Sequence, residues 1–420
     1  RQVNARVAEL ARARFNQATL EDVILTRARL TEAELPELNL DGVDLSYAQL
    51  AKANLNGASL KASHLTGANF YGAHMVSVDL SDSRAEGANF GEAILSQANF
   101  NRAQLRDSRF DEASLNEVTF HGADLSSVSF SKAQCSLAKM QGARLDDARL
   151  RESIWRGAEI SDCSFQGADL TQSDFSMTHI VGGEWAESQW SYLNLFGAKL
   201  EKIDATGINA EHLVGSQSTF NQVDFRGARL QHAELNEVEF NRCQFNDAHL
   251  HQADFSKSTF NATSLNGSLL EGAKLSGVLF NETSLLDANL RGVNLSGVDL
   301  SGENFAGYDL SGSNLDGVSF VNSQLKGTNF SHASMMNVNL EGASIEGADL
   351  SHANLSGASM NILDLTKVTL TEAKLRGAQL QGVDLSGSDL RGLDLSHSSL
   401  LGSTLTKADL RGADLSEADL

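Results

Sequence analysis

The 420-residue sequence predicts an all-β fold, a solenoid of short extended pieces and corners, on three observations. A large apolar residue returns every fifth position: of the 84 positions numbered in multiples of five, 79 are Leu, Phe, Met, Ile, Trp or Cys. Nineteen of the 20 Phe and all three Trp keep this frame, so composition alone does not produce it. A small residue stands two places before most of these centres. The closing run KADLRGADLSEADL shows it, with Ala408, Ala413 and Ala418 ahead of Leu410, Leu415 and Leu420. Finally, oversized and undersized centres pair at a spacing of 20: Trp185 with Ala205, Trp190 with Ala210, and Trp155 with Cys135.

The period excludes the ordinary elements. On a helix, residues five apart are rotated by about 140° and would smear round the cylinder. In a flat strand they would alternate faces. A short extended piece followed by a corner puts the first and third residues of each unit inward. Gly often sits just before the small inward residue, as in Gly122-Ala123-Asp124-Leu125, where a corner favours a permissive backbone. Such units bury their apolar side only by stacking. Close packing between stacked coils then demands the large-with-small pairings. The same step of 20 aligns Phe70, Phe90, Phe110 and Phe130 in one column, and Phe220, Phe240, Phe260 and Phe280 in another.

This pattern resembles the pentapeptide-repeat family, and the resemblance covers essentially the whole chain. It implies a right-handed quadrilateral parallel β-helix with four pentapeptides per coil. On that geometry 420/20 gives about 21 coils. At roughly 4.8 Å per coil the rod would be ~100 Å long.

Taken in order, residues 1–14 read as an N-terminal cap or an irregular first coil. Val3, Val7, Leu10 and Ala11 have helical spacing, yet Ala8-Glu9-Leu10 already obeys the repeat frame. Residues 15–420 read as one continuous β-helix. The single proline, Pro36, falls at a corner, where a missing N–H costs least. Across 201–219 the sizes invert: Ala205, Ala210 and Gly215 are small centres, with Ile203, Ile208 and Leu213 two places before them. The exchange roughly conserves volume, favouring continuous coils over an excised loop. The C-terminal coil, with centres Leu405, Leu410, Leu415 and Leu420, carries no written cap. An end-to-end homodimer through it is one way to cover that end.

Composition narrows the function classes. The net charge is 33 − 54 = −21, which disfavours direct nucleic-acid or anionic-membrane binding. The three Cys all point inward and none lies one coil from another, so a disulfide framework is not expected. No apolar run is long enough for a membrane span. The expected location is cytoplasmic, or secreted by a bacterial secretion system into a host or competitor cell.

Candidate sites are sparse. Glu303 and Tyr308 occupy inward small-residue places and violate the pattern most clearly. Glu303 reads as a buried acid, as one bonded to the hydroxyls of Thr283 and Ser323 a coil away, or as a bulge turning outward. His212 and His232, like His332 and His352, lie one coil apart, but spacing supplies no third metal ligand. Solvated surface histidines are the simpler reading, so no metal, cofactor or catalytic group is assigned. Leu137, Met177 and Phe196 fall on nearly one outward edge and Tyr192 on another, a candidate protein-binding patch.

The resemblance admits several roles. A non-catalytic protein-binding rod or scaffold of a secretion-associated or effector-type bacterial protein comes first. The alternative is the DNA mimic that binds a type II topoisomerase (gyrase). A ~100 Å duplex carries about 60 charges, against a net 21 here. The 24 acids just before centres divide 7, 6, 6 and 5 among the faces, which makes no acidic stripe.

Overall fold

The structure, a computed structural model, describes residues 3–15, 18, 20 and 23–420. The chain divides into two compact units, Arg1–Arg229 and Leu230–Leu420. Each winds as a right-handed quadrilateral parallel β-helix in which bridged residues are 20 apart.

Residues 45–49 show why five residues make one side. The Leu45 N–H donates to the His64 carbonyl (2.8 Å) and the Tyr47 N–H to that of Thr66 (2.9 Å), both one coil on. The Gln49 N–H donates backward to Ala28 (2.9 Å), and the Ala48 N–H closes a β-turn onto Leu45 (2.9 Å). Tyr47, third in that turn, has a φ of 60°. This corner place takes Gly often because its φ is positive, yet many ordinary residues hold it too. One N–H per unit, on the first corner residue, gets no backbone partner from this scheme. Pro36 occupies such a place, so its missing N–H removes no ladder bond.

In the first unit, β1 (Val3–Asn4) pairs in parallel with β2 (Val23–Ile24), followed by the bridges Glu9 to Arg29 and Arg14 to Glu34. Residues 3–15 thus carry turns and bridges in the repeat frame, while Arg1 and Gln2 of the expected cap lie outside the described residues. Further on, β3 (Lys139–Gln141), β4 (Glu159–Ser161), β5 (His179–Val181), β6 (Lys199–Glu201) and β7 (Thr219–Asn221) stack along one side. In the second unit, β8 (Glu239–Asn241), β9 (Thr259–Asn261) and β10 (Leu279–Asn281) do the same.

The interior is a set of columns. Phe70, Phe90, Phe110 and Phe130 stack with centroids 5.0, 4.8 and 5.0 Å apart. In the second unit Phe260 stacks on Phe240 at 4.8 Å and on Phe280 at 5.6 Å. Trp185 lies flat on Phe165 (4.1 Å, 8°) and meets Trp190 edge-on (5.5 Å, 84°). The bridges Glu184 to Asp204 and Gln189 to Asn209 bring Ala205 and Ala210 beneath the two indoles, where both alanines are fully buried. Trp155, also buried, follows Cys135 in its column and stacks on Phe175 at 5.8 Å. Ile203, Ile208 and Leu213 are buried as well, so residues 201–219 remain in the coils with their sizes exchanged. Gly183, two places before Trp185, lies close on the coil before it: its φ is +90°, and an added Cβ would stand 2.1 Å from the Cys163 carbonyl oxygen.

Candidate interaction surfaces

The first-corner N–H left over by the backbone is taken by the side chain two residues earlier. Asp44 Oδ1 accepts from the Ser46 N–H (3.0 Å), Asp174 from Ser176 (2.9 Å), Asn194 from Phe196 (3.0 Å) and Asp394 from Ser396 (3.0 Å). Elsewhere a side chain 20 residues earlier does it, as Asn56 does for Val76 (2.8 Å) and Asn101 for His121 (2.9 Å). Many acids ahead of the centres therefore serve the backbone. Burial would raise the carboxyl of Asp174, but bonds from Ser176 and the Arg156 guanidinium outweigh it and hold the group below its ordinary value. Exposed Asp389 is held down to about 2 by hydrogen bonds from Arg391.

The patch residues are corner residues. Leu137 and Met177 stand two coils apart on one corner, both with positive φ, and are 54% and 57% exposed. Each lies over a glycine one coil on. A Cβ on Gly157 would touch Leu137 Cδ2 at 3.0 Å, and one on Gly197 would meet Met177 Sδ at 2.8 Å. Phe196, half-buried, adjoins Met177 through its carbonyl, which accepts from the Met177 N–H (2.9 Å). Tyr192 is exposed on a separate corner, its ring stacked on His212 at 4.6 Å.

Other candidates carry no visible chemistry. His332 and His352 stack at 4.5 Å, and His352 also meets Glu372 (3.2 Å). Among the described residues, no three His, Cys, Asp or Glu side chains converge on a possible metal position. Burial raises the Cys135 thiol, and pushes that of Cys163 up to about 11, so neither is a ready thiolate.

Glu303 and Tyr308 mark an opening in the second unit. Tyr308 stands where a small residue belongs, its ring edge-on to Phe305 (5.3 Å). Its hydroxyl donates to the Leu285 carbonyl (2.9 Å) and accepts from the Asp287 N–H (3.0 Å). In a regular coil that N–H donates to a backbone carbonyl 19 residues on, as Asp247 does to Asn266 (3.0 Å). The phenol thus replaces a rung and wedges the coils apart. No backbone hydrogen bond joins Phe280, Glu282, Leu285 or Leu290 to residues 299–309. The ladder is intact on the fourth side, from Gly292 to Ser311 (3.0 Å) and Leu295 to Asn314 (2.8 Å). The result is a cleft of about 260 Å³, with Phe280, Leu285, Leu300 and Phe305 in its walls. Glu303 also lines it; its residue is exposed, and its carboxylate has no hydrogen-bond or ion-pair partner among the described residues. The Thr283 hydroxyl points elsewhere, to the Phe260 carbonyl (3.0 Å). Burial raises the Tyr308 phenol above its ordinary value.

A family model described as pentapeptide repeats matches residues 8–46, 44–82, 75–111, 86–122, 103–142, 138–176, 263–302, 304–342, 333–371, 343–392 and 384–420. A second, described as a pentapeptide repeat region, matches 206–270. Among solved structures, HetL, a pentapeptide repeat protein involved in heterocyst differentiation regulation from the cyanobacterium Nostoc sp. strain PCC 7120, is 20% identical. That alignment covers 55% of this chain and 90% of HetL, with a TM-score of 0.23. A pentapeptide repeat protein of the Arabidopsis thaliana thylakoid lumen is 29% identical over 29% of this chain and 66% of its own, with a TM-score of 0.16. The plasmid-mediated fluoroquinolone resistance protein QnrB1 is 17% identical over 62% of this chain and 89% of its own, with a TM-score of 0.13. No curated protein matches the sequence.

Proposed function

The chain belongs to the pentapeptide repeat family, and from that premise we propose that it is a non-catalytic protein-binding scaffold. Proteins of this family are generally structural or interaction proteins rather than enzymes. One observation carries the reading: Leu137 and Met177 are apolar, exposed, and seated over glycines on one corner, with the Phe196 backbone bonded to Met177. Apolar side chains fixed in this way present contact area at little entropic cost, as a docking surface requires. Secretion-associated or effector-type activity, and pairing of two copies through the C-terminal coil, are more specific forms of this proposal. Gyrase binding by DNA mimicry ranks below it, because the acids ahead of the centres are shared among four faces and many are engaged by the backbone.

The test compares the wild type with the Leu137→Asp, Met177→Lys variant, both immobilised and exposed to an extract of the source cell, with bound proteins quantified by mass spectrometry. A specific protein retained by the wild type and lost by the folded variant supports the reading. Identical retention by both, or none by either, overturns it.

A further inference from the structure

The cleft at Glu303 combines two features found together nowhere else among the described residues: an opened parallel ladder and an apolar hollow with an unpaired carboxylate. On three successive sides, backbone groups that in most coils bond to the next are left without backbone partners, a wider break than the single rungs missing from Ser344 to Asp364 and from Thr369 to Asp389. Unpaired strand edges are templates for another extended chain. Phe280, Leu285, Leu300 and Phe305 offer apolar contact within, and Leu286, 59% exposed, stands at the rim. The surroundings are one-signed: residues 280–310 hold Glu282, Asp287, Asp299, Glu303 and Asp309 against a single base, Arg291. Of the two acids that line the cleft, Asp299 is already occupied by the Ser301 N–H (3.0 Å) and hydroxyl (2.5 Å), so Glu303 is the one free to receive a cation there.

We propose that this cleft binds an extended peptide segment of a partner protein, which adds to the open edge by its backbone and places a lysine or arginine on Glu303. The inference rests on the protein-binding reading but on different residues from the Leu137–Met177 corner. The aliphatic stem of the basic side chain lies along the Phe280 and Phe305 rings while its head meets the carboxylate. Backbone pairing supplies affinity, and the acid and the apolar walls select the sequence.

The probe is a fluorescent, end-blocked hexapeptide of alternating valine and arginine, titrated by anisotropy against the full chain at about 0.15 M salt, where remote charges are screened. Its comparators are the valine–glutamate hexapeptide and a backbone-N-methylated valine–arginine hexapeptide. The arginine peptide is expected to saturate, and both comparators to bind at least about tenfold more weakly, the loss a missing charge pair or backbone rung can produce. Glu303→Gln, an exposed substitution that keeps the side-chain shape, should weaken the arginine peptide by about fivefold or more. Diffuse attraction to a chain with 54 acids would barely register the loss of one. Absence of saturable binding, equal binding of the comparators, or unchanged affinity in Glu303→Gln each overturns the proposal. Any of these can occur while the Leu137–Met177 comparison still identifies a partner, so the two readings fail separately.

Discussion

Exchanging the sizes of Trp185 and Ala205 tests the column packing at its tightest point. Trp185 lies between the Phe165 ring at 4.1 Å on one side and the fully buried Ala205 on the other, with Trp190 against its edge. Removing the indole in Trp185→Ala leaves a cavity the rigid coils close only in part, at a cost of about 3–5 kcal/mol. Enlarging the alanine in Ala205→Phe overpacks the same column and costs about 1–3 kcal/mol. Independent effects would sum to about 4–8 kcal/mol in the double variant. Because the new ring moves into the volume vacated by the old one, the double variant should be less destabilised than that sum by about 1–3 kcal/mol. Long repeat arrays do not unfold as one cooperative unit, so a global midpoint is the wrong readout. Hydrogen exchange followed by mass spectrometry, on fragments spanning residues 181–212, gives the local opening free energy. Strict additivity would refute the shared column, and so would an Ala205→Phe variant as protected as the wild type.

Two further outcomes follow from named contacts. Folded-state pKa values of Asp44, Asp174, Asp254 and Asp394 are lowered, so their contribution is complete above the unfolded value of about 4 and is lost as pH falls through the folded values. Acid titration followed by circular dichroism should show stability falling as the pH drops below about 4. Asp174→Asn, which keeps an accepting oxygen but no titrating group, should flatten that fall; an unchanged profile would count against the cap. Gly183→Ala should destabilise by at least about 1–2 kcal/mol, since its φ is +90° and the new Cβ would meet a backbone oxygen at 2.1 Å. Gly87→Ala, at an ordinary corner with open space around it, should cost less by the same exchange assay.

Much of the fold was legible because the five-residue period and the step of 20 are both written in single residues. Trp185 and Ala205 are an example, since a large residue needs a small neighbour wherever coils stack. The size-inverted stretch was legible on the same ground of volume. The corner caps were not. Asp and Asn before the centres look like surface charge until the unit's hydrogen bonds are counted and one N–H is found unserved. The column of Leu137 over Gly157 could have been seen at the same step of 20, although sequence alone does not say that the side chain folds onto the corner. At Tyr308 the oversize was plain but its consequence was not. A large residue in a small place can bulge outward, be compressed, or separate the coils, and only the hydroxyl's bonds to Leu285 and Asp287 distinguish these.

Backbone pairing runs from coil to coil and is broken over three sides at the opening beside Tyr308, with single further rungs missing from Ser344 to Asp364 and from Thr369 to Asp389. Residue-resolved amide exchange of the unliganded chain measures this directly. Leu275 and Leu295, which donate to Asn294 and Asn314 at 2.7 and 2.8 Å, should be strongly protected. Phe280, Glu282, Leu285 and Leu290 should exchange faster by about tenfold or more, the equivalent of one net hydrogen bond. Tyr308→Val should bring them toward the protection of their neighbours. Equal protection of all six amides in the wild type would contradict the account.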